Sequence, residues 1–312
     1  MRLIILFIYL FNLLLLIGCS EKETNFLSEF TEIDHIIVNG QVIDGTGQPG
    51  FNADIVIVDD EIVFIGDTSF SKQDYDTRVM NVIDANGKVV TPGFIDLHAH
   101  GNPLQNNQLE NFLAMGVTTI TLGQDGASPN YNPLSDWLDQ IINKGIGTNL
   151  AMFVGHGTLR NLSGIGLSDS PSKDDLQKIS KILNETLEYT FGLSTGLEYN
   201  PGLHAKPDEL NQLARIVGNH DRLIMSHMRN EDDDQLEDSI SELLDQGQFA
   251  RVHISHLKAV YGSGAERANE ILGILRDARN LGVKITADIY PYNASYTGIG
   301  IIFPNWANTE KQ

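Results

Sequence analysis

The chain has 312 residues, 41% hydrophobic and 20% charged. That is the makeup of an ordinary globular protein, long enough for one large α/β domain with some decoration. Its 41 acidic residues against 21 basic ones give a formal net charge of −20, which argues against nucleic acid as a partner, since phosphate binding needs clustered Lys and Arg.

Residues 1–18 read as a secretion signal. Met1-Arg2 is a short positive start, Leu3 to Ile17 is an apolar run broken only by Asn12, and Leu16-Ile17-Gly18-Cys19 closes it. The run is shorter than the roughly 20 residues a spanning helix needs and suits a signal peptide. Its end resembles the lipobox of bacterial lipoproteins. The resemblance implies a lipidated Cys19 as the mature N-terminus, a membrane anchor, and a place in the bacterial cell envelope facing the periplasm or exterior. Cys19 is the only cysteine, so the mature chain forms no internal disulfide. Residues 19–32 read as a tether.

Residues 33–88 read as a small β subdomain. Ile36-Ile37-Val38 and Gln41-Val42-Ile43 are short strands, and Asp44-Gly45-Thr46-Gly47 is turn chemistry. Two further strands, Ala53 to Val58 and Glu61 to Ile65, flank Asp59-Asp60 as a hairpin.

Residues 89–312 change rhythm. Strands are predicted at 94–100, 117–122, 149–154, 189–197, 222–227, 252–256 and 283–290. Helical patterns lie between them, among them one opened by Ser172 and one opened by Pro207. Strands alternating with helices mean parallel βαβ units. The fold class is therefore α/β, a (β/α)₈ TIM-type barrel beside a small β-sandwich subdomain. Seven barrel strands are present and an eighth is missing, as in a partial sequence or a truncated product.

Active sites of such barrels sit at the C-terminal strand ends. The first strand ends in His98 and His100, which at i and i+2 share a face. The second ends at Asp125, the third at His156, the fourth at Glu198 and Tyr199, the fifth at His227 and Arg229. The sixth ends at His256 and Lys258, the seventh at Asp288 and Tyr292. The imidazoles ending strands 1, 5 and 6 and the carboxylates ending strands 2 and 4 suit Zn²⁺, with Mn²⁺, Fe²⁺ and Co²⁺ as alternatives. Lys258 and Arg229, two residues past a histidine, are placed to hold a substrate carboxylate; a salt bridge to a neighbouring acid is the bland alternative.

These motifs resemble the amidohydrolase superfamily, and within it the D-aminoacylase (N-acyl-D-amino-acid deacylase) family. The carrying residues are Pro92 to His100, Gly116-Val117-Thr118-Thr119, Gly192 to Tyr199, Ser226 to Glu231, Ile254 to Lys258 and Asp288 to Tyr292. The resemblance implies hydrolysis of the linear amide of N-acyl-D-amino acids by one or two Zn²⁺ ions. It implies His227 and His256 as ligands of a tightly held metal, and His98 and His100 as those of a second position. The family commonly has a cysteine where this chain has Asp125. Asp125 is the preferred bridging ligand here and Glu198 its rival. Tyr199, His156 and Tyr292 are implied as pocket-wall or oxyanion groups. The family's proton shuttle, an aspartate ending the eighth strand, is not present in this chain.

Other readings compete. Gly192-Leu193-Ser194-Thr195-Gly196 fits the G-x-S-x-G elbow of serine hydrolases, though tight glycine packing in a barrel strand explains it as well. A dihydroorotase- or hydantoinase-like cyclic amidase, or a dipeptidase, typically uses a fourth-strand lysine that this sequence lacks. An inactive envelope lipoprotein would bind metal without turnover.

Overall fold

The computed structural model describes Leu27 and residues 29–303; the apolar leader and Cys19 lie outside the described residues. Among the described residues no helix is long and apolar enough to cross a membrane. The chain divides into two compact units between Pro92 and Gly93.

The first unit holds β1 (Ile33–Val42), β2 (Phe51–Val58), β3 (Glu61–Gly66), α1 (Lys72–Arg78), β4 (Val79–Asp84) and β5 (Val89–Val90). They form one sheet in the order β3-β2-β1-β4, with β5 beside the end of β1. The predicted hairpin is there: β2 and β3 pair antiparallel around Asp59-Asp60. The two strands predicted at 36–38 and 41–43 are one strand, because β1 passes a register shift between Ile37 and Gly40 without breaking. Ile33, Ile36 and Val56 are its buried centre. Helix α1 had no strong apolar period to announce it, and no residue in it is buried. A Ser71/Asp74 capping box starts it.

The second unit holds seven strands: β6 (Phe94–Asp96), β7 (Val117–Leu122), β8 (Asn149–Gly155), β9 (Gly192–Gly196), β10 (Leu223–His227), β11 (Arg251–Ile254) and β12 (Ile285–Ala287). They pair in parallel and in chain order across one curled sheet of TIM-barrel type. Seven helices alternate with them: α2 (Glu110–Ala114), α3 (Ser135–Lys144), α4 (His156–Ser163), α5 (Lys173–Thr186), α6 (Pro207–Asn219), α7 (Leu236–Gln246) and α8 (Gly264–Asn280). Their starts follow local chemistry. Ser172 and Asp175 cap α5 reciprocally, and Pro207 occupies the first turn of α6. Their apolar stripes, Ile179, Leu183 and Leu187 from α5 and its cap and Leu213, Ala214 and Val217 on α6, are fully buried against Leu193, Ile224, Val252 and Ile254 of the strands. All five residues of β9 are buried.

Four strands stop sooner than predicted, β9 by a single residue, and local hydrogen bonds explain one of them. β6 ends at Asp96, whose carboxylate accepts the His98 amide at 3.0 Å and turns the chain; the Ala99 amide then donates to the Thr121 carbonyl. β11 ends at Ile254, two residues before His256, and β12 ends at Ala287, just before Asp288. The histidines predicted inside strands 1 and 6 thus sit on the turns that follow.

Candidate metal centre

The turn after β7 carries Asp125, and its backbone is held in an uncommon shape. Gly123, Asp125 and Gly126 all take positive φ, +87°, +53° and +74°. A Cβ on Gly123 would overlap the Phe153 carbonyl. The left-handed conformation costs a non-glycine residue roughly 1–2 kcal/mol. The neighbouring strand offsets that cost. Ser194 on β9 donates its hydroxyl to the Gly123 carbonyl and accepts the Gly126 amide at 3.1 Å. Ser194 is fully buried and committed to this turn, so the G-x-S-x-G pattern is a packing device and not a nucleophile elbow. Its glycines have the same reason: a Cβ on Gly196 would meet the Asp125 carbonyl, and one on Gly192 the Leu223 carbonyl.

Four imidazoles surround the Asp125 carboxylate, two on each oxygen. Oδ2 lies 3.3 Å from His98 Nε2 and 3.2 Å from His100 Nε2. Oδ1 lies 3.3 Å from His256 Nε2 and 3.8 Å from His227 Nδ1. Potential ligand atoms of His98, His100 and Asp125 fall within 4.8 Å of one another, as do those of Asp125, His227 and His256. Neutral imidazoles around a shared carboxylate are a donor set for zinc or a similar divalent cation. The site therefore fits one or two metal ions.

Burial raises the pKa of Asp125, but hydrogen bonds from His100, His256 and His98 outweigh it and hold the carboxylate well below its usual range. Burial opposes the His256 imidazolium, yet its contacts with Asp125 and Glu231 push its pKa up to about 9. In the metal-free state His256 therefore carries a proton that a metal must displace. His256 also takes positive φ, +39°, so two of the clustered residues sit in backbone shapes that side-chain residues rarely adopt.

An outer layer of carboxylates faces the far side of three of these rings. Glu198 Oε2 is 2.8 Å from His227 Nε2, and Glu231 Oε1 is 2.9 Å from His256 Nδ1. Asp288 Oδ2 is 3.8 Å from His98 Nδ1, and the same carboxylate takes the His253 ring nitrogen at 2.9 Å and the His256 backbone amide. Such partners fix which ring nitrogen carries the proton and aim the other inward. Glu198, the rival bridging group, touches His227 on the nitrogen opposite Asp125, and its potential ligand atom also lies within 4.8 Å of those of His227 and Glu231. Glu231, Asp288 and His253 were not singled out as site residues from the sequence. Glu231 and Asp288 stand inside quoted motifs, four residues past His227 and directly after β12, and that placement was the available signal.

The remaining expected residues divide. Lys258 is close to the cluster, 3.0 Å from His256 Nδ1, but is ion-paired with Glu231. The free substrate-binding role expected for Arg229 meets a correction. Its guanidinium holds Glu242 at 2.9 Å and the Leu203 and Ala205 carbonyls, so it ties the loop after β9 to α7. His156 is corrected likewise: fully buried, it bonds Glu209 at 2.8 Å beside the Arg160–Glu209 pair. Tyr292 is exposed and stacks on Tyr290. Tyr199 packs against His227 with ring centroids 4.4 Å apart and planes tilted by 46°, and its hydroxyl pairs with Thr297. Burial, together with the charges of Asp125 and Glu198, raises its pKa to about 12 despite the Thr297 bond, so it stays a protonated phenol at neutral pH.

A curled parallel α/β sheet with imidazoles and an aspartate converging at its C-terminal ends defines the amidohydrolase class of barrel. No family model matches the chain. N-acyl-D-glutamate deacylase from Alcaligenes xylosoxydans xylosoxydans is 30% identical over 302 residues, 89% of this chain and 60% of the relative. The crystal structure of N-acyl-D-glutamate deacylase from Bordetella bronchiseptica, complexed with zinc and a phosphonate inhibitor, superposes with a TM-score of 0.77 at 30% identity, covering 84% of this chain and 59% of that one. A D-aminoacylase structure described for its binuclear metal centre gives a TM-score of 0.74 at 29% identity, covering 83% and 59%. Over most of its length the chain is similar to members of the D-aminoacylase family. It spans about 60% of the length of the curated relatives it matches.

Two predictions concern the metal. Glu198→Ala lowers zinc affinity about 10- to 100-fold, while Glu198→Gln, which keeps an acceptor for the His227 ring, loses less; competition with a chromophoric chelator measures both, and a loss as deep as that of Asp125→Ala would make Glu198 a ligand instead. Because His256 must shed its proton, apparent zinc affinity rises with pH by up to about tenfold per unit and levels off above about pH 9. Proton release on binding, read by calorimetry in buffers of different ionisation enthalpy, checks the sign.

Proposed function

We propose that the protein is a metal-dependent deacylase of N-acyl-D-amino acids. The observation that carries this reading is the placement of four imidazoles, two on each oxygen of Asp125. His227, His256 and Asp125 would hold one Zn²⁺, and His98 and His100 with the same carboxylate a second. A metal bound there supplies Lewis-acid polarisation of the amide carbonyl and lowers the pKa of bound water toward about 7.

The chain's own groups have separate tasks. Asp125 stays ionised and keeps four rings converged. Glu198 and Glu231 hold His227 and His256 in orientation. The Tyr199 hydroxyl, a protonated phenol at working pH that pairs with Thr297, would donate to an oxygen that gains charge. Lys258 is the cation nearest the cluster for a substrate carboxylate, which would share it with Glu231. A cyclic amidase is less well supported, since β9, Gly-Leu-Ser-Thr-Gly, offers no lysine to bridge metals.

The amine released from paired N-acetyl-D- and N-acetyl-L-amino acids tests the activity. The D series is hydrolysed and the L series is not. Chelation abolishes turnover and zinc restores it. Asp125→Ala lowers kcat/KM about a thousand-fold, near 4 kcal/mol of barrier, with the circular dichroism unchanged. Turnover that survives chelation would sink the proposal.

We also propose that Cys19 carries a lipid anchor in the cell envelope, supported by the apolar run from Leu3 to Ile17 that leads to it. Cys19→Ser then abolishes incorporation of labelled palmitate and moves the protein from the detergent phase to the aqueous phase. Labelling that persists in the variant would refute the anchor.

A further inference from the structure

His253 is a buried imidazole outside the metal cluster. Val252 and Ile254, its neighbours on β11, are buried in the main core. Alternate side chains of a strand take opposite faces, so His253 points to the other side of the sheet. It pairs in register with Thr286 on β12. Its Nδ1 lies 2.7 Å from the Thr286 hydroxyl and its Nε2 2.9 Å from Asp288 Oδ2. An ionised carboxylate can only accept, so Nε2 carries the hydrogen and donates it to Asp288.

Among the outer carboxylates, Asp288 alone meets a ligand of each proposed metal position. Its Oδ1 accepts the backbone amide of His256, where the chain takes a φ of +39°. Its Oδ2 lies 3.8 Å from His98 Nδ1. His98 follows β6 and Asp288 follows β12, the two end strands of the seven-stranded sheet, so this carboxylate reaches from one end of the sheet to the other. Backbone bonds to Ile254 and Leu257 fix the main chain of Asp288. The bond from His253 is the one that fixes its carboxylate from outside the metal centre. Without it, the carboxylate torsion is set only by the groups that Asp288 itself has to place.

We propose that His253 is a positioning residue that couples the two metal positions: it fixes the Asp288 carboxylate, which in turn places the His98 ring of one position and the His256 turn of the other. The inference rests on the two-position metal centre proposed above, and not on the identity of the substrate. What the role needs is a donor aimed at Asp288. Glutamine supplies one through its amide, and leucine fills space without one.

Zinc titration of the chelator-stripped full-length protein, against a chromophoric competitor, reads both affinities. The wild type takes up two equivalents. His253→Leu weakens both about tenfold or more, and His253→Gln recovers most of the loss. In an Asp288→Ala background His253→Leu has no further effect, as expected when one residue acts through the other. Thr286→Val frees the other nitrogen of the ring and weakens both equivalents by a smaller factor; unchanged affinities there overturn the proposal even if His253→Leu does not fold. A His253→Leu protein that binds zinc as well as His253→Gln would show that the ring only fills space. That result overturns the proposal, as do weakening confined to one equivalent, a single equivalent taken up by the wild type, and a His253→Leu loss that persists without Asp288. A second readout needs no metal. Hydrogen exchange at the His256 backbone amide, followed by NMR, is about tenfold faster in His253→Leu, the worth of one hydrogen bond, and near the wild-type rate in His253→Gln. If the wild type binds no zinc, the metal-centre reading has failed, and exchange then decides whether His253 holds Asp288: equal rates in the three proteins overturn it.

Discussion

The second unit is organised around one half-buried negative charge. Asp125 can remain ionised there only because each of its oxygens faces two imidazoles, and an uncompensated carboxylate at that depth would be protonated or expelled. The four rings come from three places in the chain, after β6, at the end of β10 and after β11. All three strands must end at the same level of the sheet for the charge to be met. Parallel pairing in chain order provides that level, and the turn after β7 lifts the aspartate into it.

Each partner of Asp125 is in turn constrained. An imidazole has two nitrogens and, when neutral, one proton, so aiming a lone pair inward requires an acceptor outside. Glu198, Glu231 and Asp288 stand behind three of the rings, and Lys258 neutralises part of the charge this adds. The cluster is thus a sandwich of alternating carboxylate and imidazole, and removing any member leaves a neighbour with a wrong proton or an unpaired charge. His100 is the exception: its ring is exposed, and among the described residues it pairs with Asp125 alone.

Much of this could be read from the residues, and the losses have physical reasons. The βα rhythm is legible because helix stripes and strand runs have different periods, and the histidines because they cluster at strand ends. The pairing of His98 with His100 was argued from a continuing strand; they converge on Asp125 instead through a turn that Asp96 makes. Arg229 looked free because its partner Glu242 is thirteen residues on, across a loop and into α7, a separation at which sequence gives no sign of contact. His156 looked like a strand-end site residue because burial cannot be read locally: its partners Glu209 and Arg160 belong to α6 and α4. Glu231 and Asp288 were passed over because a carboxylate near a histidine reads as a solvated acid until the fold turns it inward.

The turn that carries Asp125 is held from below by Ser194 and by close approach of backbone to backbone at Gly123, Gly126 and Gly196. None of these contacts involves the Asp125 side chain. The frame is therefore indifferent to which donor it presents, and a harder or softer atom could occupy that point without rebuilding the strands. Metal preference in such a barrel becomes a property that can drift by a single codon while the architecture stays still, and relatives with nearly superposable sheets need not share the same ion.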